Sequence, residues 1–240
     1  MFEMSDYSKR LYSSFYGRFF HRMRLMKLIK LCHTLNGREV LEIGCRDLLF
    51  YYLLDDGGYE KYVGIEIDRE DGINFAKRNK KKFGWHNVEI VEAMAESLPF
   101  RDESFDLVLC FETIEHVSDE EAAACEIARV LKSSGVLLIS LPIEFGPMLL
   151  LKVLMRLILK GKKEYNPSSI LELIEASILC NPGKIERYEH RGYDYRKTIG
   201  YLRAHNISVQ KIYKQPFSWL PDSLNMGVIV MLKKGQDNIA

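Results

Sequence analysis

Hydrophobic positions along this chain fall into two alternating spacings. Residues 39–44 (EVLEIG), 62–67 (YVGIEI), 88–93 (VEIVEA), 105–111 (FDLVLCF) and 135–141 (GVLLISL) are short apolar runs rich in Val, Ile and Leu. That is the pattern of strands covered on both faces. Between them lie stretches with helical spacing. Residues 70–83 form a charged helix stopped at Gly84, and residues 118–131 open with Ser118 as N-cap and Glu121 three residues later, a capping box. A helix is also expected from near Asp47. Upstream, residues 5–35 repeat Leu11, Phe15, Phe19, Met23 and Met26 at helical spacing and end at Asn36-Gly37. Beyond Pro142, helical stretches are predicted near 148–160, 167–180 and 195–204. Residues 207–214 and 227–233 then read as an antiparallel pair. Strands alternating with helices predict an α/β fold, a doubly wound sheet of about seven strands, mostly parallel with an antiparallel C-terminal strand. The segment 142–206 is too long for a simple crossover. It reads as a helical insertion after the fifth strand, on the edge where open α/β sheets bind ligands.

Charge sharpens this picture. Thirty-four Lys and Arg nearly balance thirty-three Asp and Glu, for a formal charge of +1, which argues against a protein that coats nucleic acid. The balance hides blocks. Residues 1–37 hold seven bases and two acids, residues 89–121 eleven acids and one base, and residues 146–163 five bases and no acid. The five cysteines (Cys32, Cys45, Cys110, Cys125, Cys180) form no C-x-x-C pair. Neither a disulfide framework nor a metal site is expected, and a reducing cytoplasm fits. No signal peptide and no run of the ~18 apolar residues that span a bilayer are visible, so a cytoplasmic protein, in contact with a membrane at most at its surface, is expected.

The chemistry begins where the first strand ends at Gly44. A glycine there lets the backbone approach a ligand closely. Glu66 closes the second strand 22 residues later, the spacing at which an acid accepts the two hydroxyls of a ribose. The dinucleotide pattern G-x-G-x-x-G is absent, and Asp47 at the following helix start would repel a phosphate. An adenosine-containing ligand without phosphate, and with positive charge, suits the acids Glu42, Glu66, Glu112 and Glu115.

With VLEIGC, VGIEID, AESLPF, ESFDLVLCFETIEHV and EIARVLKSSGVLLIS in that order, residues 39–141 resemble the class I S-adenosylmethionine-dependent methyltransferases, in the branch whose pattern runs LPF, FD, EH and RVLKPGG. The resemblance implies a Rossmann-like fold and S-adenosyl-L-methionine as cofactor. Glu42, Gly44 and Cys45 would line its methionine end. Glu66 would hold the ribose, with Ile67 packed on the adenine and Ala95 and Glu96 at the adenine edge. Cys110 and Phe111 would floor the pocket. His116, at its mouth, would be the general base where the acceptor starts protonated; as a bystander it would simply bond a neighbour at the helix entry. His190 and Asp194 are weaker candidates of the same kind. Two positions depart from the pattern. The loop G-C-G-x-G reads Gly44-Cys45-Arg46-Asp47-Leu48, and Met94 stands where an acid usually meets the adenine amino group.

One domain is expected, with residues 1–38 a helical lid and 142–206 a cap over the acceptor. Tyr7, Tyr12 and Tyr16 suit either a lid over the sulfonium or a core-facing stripe. The run Lys77, Arg78, Lys80, Lys81, Lys82 reads as a solvated helix face rather than a nucleic-acid site. In residues 147–163 a stripe of Lys152, Arg156, Lys160 and Lys163 borders an unusually wide apolar face. Burial against the domain or in a homodimer would cover that face. So would peripheral contact with lipid. The leading function is methyl transfer to a small-molecule acceptor, apolar or lipid-like. The alternatives are an RNA methyltransferase and a non-catalytic binding module on the same fold.

Overall fold

A computed structural model describes residues 2–11, 15–35, 37–55, 58–67, 72–160, 170–180 and 192–235. Seven strands, β1 (Glu39–Ile43), β2 (Lys61–Glu66), β3 (Val88–Glu92), β4 (Phe105–Phe111), β5 (Leu131–Pro142), β6 (Ile207–Gln215) and β7 (Gly227–Lys234), form one sheet in the order β3-β2-β1-β4-β5-β7-β6. Only β7 runs against its neighbours, pairing antiparallel with both β5 and β6. The order reverses beside β1, which pairs with β2 on one side and β4 on the other. Open α/β sheets bind their ligands at such a switch point, outside the carboxyl ends of the strands.

Period-two alternation divides the core between two faces. Leu41, Ile43, Val63, Ile65, Val108 and Cys110 pack with α5 (Glu120–Val130) and α8 (Tyr195–Ala204). The alternate residues Val40, Tyr62, Leu107 and Leu109 pack with α2 (Phe15–Cys32), α3 (Leu49–Leu54) and α4 (Gly72–Phe83). On α5 the residues turned to the sheet include Ala123, Ala124 and Ala128, whose small side chains let the helix lie close. The expected doubly wound frame is present.

Local boundaries differ in instructive ways. The amino-terminal helical stretch is two helices, α1 (Asp6–Leu11) and α2. The fifth strand starts four residues before Gly135, because Leu131 already pairs with Phe105 across an irregularity in β4. The N-cap of α5 is Asp119, whose carboxylate accepts from the amides of Glu121 and Ala122. Ser118, the expected cap, is diverted: its amide and hydroxyl both donate to Glu96.

The insertion holds α6 (Pro147–Lys160) and α7 (Ile170–Ile178), joined through Leu149, Val153, Leu173 and Ala176. Lys152 departs from the expected basic stripe. Its ammonium turns inward, donating to the Ile143 carbonyl at 2.7 Å, Glu144 at 3.0 Å and the Met226 carbonyl at 3.4 Å. A carboxylate and two carbonyls outcompete water for it. Tyr12, Lys163 and His190, and the side chains of Tyr7, Tyr16, Arg156 and Lys160, lie outside the described residues.

The Lys152–Glu144 pair is buried, so removing one partner strands a charge. Glu144→Gln is expected to lower unfolding free energy by about 3 kcal/mol. The double variant Lys152→Met/Glu144→Leu should recover most of that loss. Denaturant unfolding of the three proteins measures both.

Candidate functional site

The turn after β1 is pinned to the end of β2. The amides of Gly44 and Cys45 both donate to the Ile65 carbonyl, at 2.9 and 3.0 Å. The Arg46 amide donates to Glu66 Oε2 at 3.0 Å, and the Ile67 amide to Glu66 Oε1 at 3.0 Å. Two amides, one on each oxygen, fix the direction of the Glu66 carboxylate. Gly44 sits at φ +79°, and a Cβ there would lie 2.3 Å from Thr113 Oγ1; no side chain fits between the first turn and the end of β4. Thr113 in turn donates to the carbonyls of Ile43 and Phe111, joining β1 to β4.

The two lost loop glycines leave a mark. Arg46 and Leu48 adopt φ +47° and +62°, a conformation that costs residues bearing a Cβ about 1–2 kcal/mol. The fold requires left-handed backbone here whichever residues supply it. Leu48 is compensated by full burial in the core. Arg46 lies beside Glu66, with its Cα, its Cγ and the Glu66 Cγ all close to Gly72 at the start of α4. Asp47 plays a different part from the one its position suggests. It is buried, and its carboxylate accepts from the amides of Ser5 at 2.8 Å and Leu49 at 3.2 Å. Asn79 of α4 bonds the Asp47 carbonyl and, on both sides, the backbone of Glu3. Residues 3–5 are thereby strapped across the turn.

Glu42 is buried on the α2–α3–α4 face, where Tyr62 donates its hydroxyl at 2.8 Å. Burial pushes its carboxyl up to about 8; Tyr62 opposes the shift, and Asp47 and Glu66 add to it. At the end of β4, Glu112 has φ +49° and pairs with Arg24 of α2 at 2.7 Å. Ser140 of β5 donates to its other oxygen. Arg24 also donates to Nδ1 of His21 at 2.9 Å, and burial together with that guanidinium holds His21 neutral, down to about 4. The helix α2 thus crosses the carboxyl edge and is fastened to it. Glu115, on the short 3-10 turn Ile114–His116, is buried, and burial and Glu112 push its carboxyl up.

The other expected site residues are spread around this edge. Cys45 is buried with its sulfur against Gly64, where a Cβ would lie 2.7 Å away; its side chain belongs to the core. Cys110 is likewise buried in the sheet, and burial pushes its thiol up. Phe111 is half-buried, edge-on to Phe50 at 4.7 Å. Ile67 follows Glu66 in partial exposure, Ala95 is buried, and Met94 is 50% exposed. Burial raises Glu96, but the hydroxyl and amide of Ser118 outweigh it and hold its carboxyl below the usual range. His116 is exposed on its turn. Asp194, a weaker candidate, caps α8 and pairs with Arg196. Among the described bases of α4, Arg78 and Lys82 both pair with Glu3. Tyr62, Thr113 and Arg24 have no distinctive mark in the sequence. The one available signal is that Tyr62 stands two residues before Gly64, the partner of Glu42 in the β1–β2 register.

The donor set fits S-adenosylmethionine. A carboxylate fixed at the end of β2 suits a ribose diol, and Ile67, Ala95 and Met94 suit an adenine ring. Among the described residues no group of His, Cys, Asp or Glu could hold a metal.

Residues 41–139 match the family described as a methyltransferase domain. A probable S-adenosylmethionine-dependent methyltransferase of Mycolicibacterium smegmatis is 32% identical over 120 residues, 49% of this chain and 44% of that protein. A fatty-acid O-methyltransferase of the same organism is 35% identical over 103 residues, 42% of this chain and 36% of that protein. The chain thus spans less than half the length of these curated relatives. The solved structure of the YcgJ protein from Bacillus subtilis superposes with a TM-score of 0.60 at 18% identity, covering 91% of this chain and all of that one; this likeness is one of fold.

Two measurements probe the site's energetics. The Glu42 carboxyl is raised in the folded state, so between its unfolded value near 4.5 and about 8 the folded protein binds more protons than the unfolded one. Its contribution is therefore fully present below pH 4.5 and is lost as pH rises through that window, with a slope approaching about 1.4 kcal/mol per pH unit. Glu42→Gln should flatten that part of the stability-versus-pH curve. Arg46→Gly should relieve the left-handed backbone and raise stability by about 1 kcal/mol, read as a higher midpoint of thermal unfolding.

Proposed function

We propose that this chain, whose residues 41–139 match a methyltransferase domain, transfers a methyl group from S-adenosylmethionine to a small apolar acceptor. The observation that carries the reading is the Glu66 carboxylate, held by the Arg46 and Ile67 amides directly below the left-handed turn of β1. Glu66 takes the ribose hydroxyls. Ile67, Ala95 and Met94 wall the adenine, with Glu96 at its edge. Glu42 and the Gly44–Cys45 turn border the methionine end, the two cysteines contributing through backbone position, and Phe111 floors the pocket. When bound, the cofactor supplies an electrophilic methyl on sulfur, so the hard chemistry is not asked of side chains.

The chain's own task is positioning, which can contribute ~7–11 kcal/mol to such a transfer. The strap of residues 3–5 and the Arg24–Glu112 clasp make residues 1–38 a lid that excludes water. His116, exposed beside the edge, receives the proton where the acceptor is a hydroxyl or an acid. The segment 142–206 caps the acceptor. Two features support an apolar acceptor: the hydrophobic pair α6–α7 directly after β5, and the relative named for methylating fatty acids.

Calorimetric titration tests this reading. The native chain should bind both S-adenosylmethionine and S-adenosylhomocysteine. Glu66→Ala should weaken both by roughly 100-fold, the loss of two charge-assisted hydrogen bonds, while circular dichroism stays native. Unchanged affinity in that variant would place the ribose elsewhere. No binding to the native chain would favour a non-catalytic module, for which the strained Arg46 and Leu48 are the motivating observation.

A further inference from the structure

The buried stripe of α4 holds an amide where an apolar side chain is expected. Ile73, Ala76 and Asn79 recur at three-residue spacing and all are buried, on the face of a helix that normally carries apolar residues. A buried amide costs free energy unless its hydrogen bonds are made. Asn79 makes them with two segments far from it along the chain. Its Oδ1 accepts from the Glu3 amide at 3.0 Å, and its Nδ2 donates to the Glu3 carbonyl at 2.9 Å and to the Asp47 carbonyl at 3.0 Å. Toward Glu3 the side chain acts as an antiparallel strand neighbour does, taking the amide and the carbonyl of one residue.

Asp47 closes a ring of contacts. Its carboxylate accepts from the Ser5 amide at 2.8 Å and from the Leu49 amide at 3.2 Å. The strap therefore meets the turn twice, directly at Ser5 and through Asn79. Two further anchors hold the strap. Phe2 stacks on Tyr52 of α3 and on Phe83 of α4, with ring centroids 4.6 and 6.2 Å apart, and Arg78 and Lys82 pair with Glu3. These partners all lie on the turn or on α3 and α4, the helices that follow β1 and β2. Asp47 stands between Arg46 and Leu48, the two residues of the turn that bear side chains and adopt left-handed backbone. The Arg46 amide is one of the two that orient the Glu66 carboxylate. The path from Asn79 to that acid is short. Asn79 holds the Asp47 carbonyl, Asp47 fixes the backbone of Arg46, and the Arg46 amide bonds Glu66. A buried amide whose hydrogen bonds are committed in this way specifies one arrangement of the segments it joins.

We propose that Asn79 is a positioning residue for the cofactor site: it locks the strap of residues 3–5 to the turn after β1, and the locked turn sets the direction of Glu66. Strap and turn then dock as one unit, and a ligand that bonds Glu66 favours the docked form. The inference rests on the S-adenosylmethionine reading for the identity of that ligand; the lock itself is testable without it. Two variants of the full chain break the lock from opposite sides. Asn79→Leu keeps the volume and removes the three hydrogen bonds. Glu3→Pro removes the amide that Oδ1 accepts and leaves the core untouched, so it carries the same measurements where Asn79→Leu fails to fold. Without cofactor, hydrogen exchange at residues 2–5 and 44–49 should quicken together in either variant. In calorimetry each variant should bind S-adenosylmethionine about tenfold more weakly, the effect of one lost hydrogen bond. The double variant should bind no more weakly than the worse single one, because both remove the same lock. In the native chain the cofactor should slow exchange at residues 2–5, a response that a merely structural asparagine would not give. The proposal is overturned if Asn79→Leu lowers the thermal midpoint but leaves exchange at residues 44–49 and cofactor affinity unchanged, or if the two losses multiply in the double variant. If the native chain binds no S-adenosylmethionine, the methyltransferase reading fails, while exchange at residues 44–49 still decides the lock: faster in both variants upholds it, unchanged overturns it.

Discussion

Four backbone hydrogen bonds at the switch point organise this protein's chemistry. The carbonyl of Ile65 takes the amides of Gly44 and Cys45, and the carboxylate of Glu66 takes those of Arg46 and Ile67. The end of β2 therefore shapes the turn that follows β1, while the turn orients the acid that ends β2. Neither half is placed without the other. Thr113 closes the arrangement from β4 by filling the space above Gly44. Left-handed backbone at Gly44, Arg46 and Leu48 follows from that crowding. Two residues with side chains tolerate it because the surrounding packing determines the path of the chain.

A second consequence is electrostatic. Glu42, Asp47, Glu66, Glu112 and Glu115 converge on one edge of the sheet, several of them buried. Four of them are relieved in different ways. Asp47 accepts the Ser5 and Leu49 amides, Glu66 two loop amides, and Glu112 the Arg24 guanidinium and the Ser140 hydroxyl. Glu42 has the Tyr62 hydroxyl, and burial keeps its carboxyl largely protonated near neutrality. The same partners fasten the amino-terminal segment over the edge. Holding the acids and fastening the amino-terminal segment to the sheet edge are thus one structural act, since Ser5 and Arg24 do both.

Much of this frame is legible in the chain. The five Val-, Ile- and Leu-rich runs become strands because both faces of each are covered, and the glycine-to-acid spacing of 22 residues survives as the turn from Gly44 to Arg46 bonding Ile65 and Glu66 at the end of β2. What escapes sequence reading depends on partners distant along the chain. Ser118 looks like a cap, yet Glu96 claims it and Asp119 takes the role. Lys152 looks like one of a solvated stripe, yet carbonyls of Ile143 and Met226 draw it in. Cys45 sits in the loop but turns its sulfur to Gly64, where the missing side chain leaves space for it. Helical period and spacing carry no information about such long-range competitors.

The edge of the sheet also sorts residues by solvent. Acids occupy the crevice between β1, β2 and β4, where they are desolvated and bonded. Exposed apolar side chains occupy the periphery: Phe19 and Met26 of α2, Leu150 and Leu151 of α6, Ile174 and Ile178 of α7, and Trp219 of the β6–β7 loop. A ligand that hydrogen-bonds the fixed Glu66 carboxylate and an apolar molecule drawn to the rim would therefore reach the same edge by different forces, one polar and one hydrophobic. For a transfer from a charged donor to an apolar acceptor this separation matters, because neither ligand has to cross the other's preferred surface to arrive. The insertion after β5 makes it possible. It adds an apolar surface beside the crevice without altering the strands that hold Glu66 and Gly44 in register.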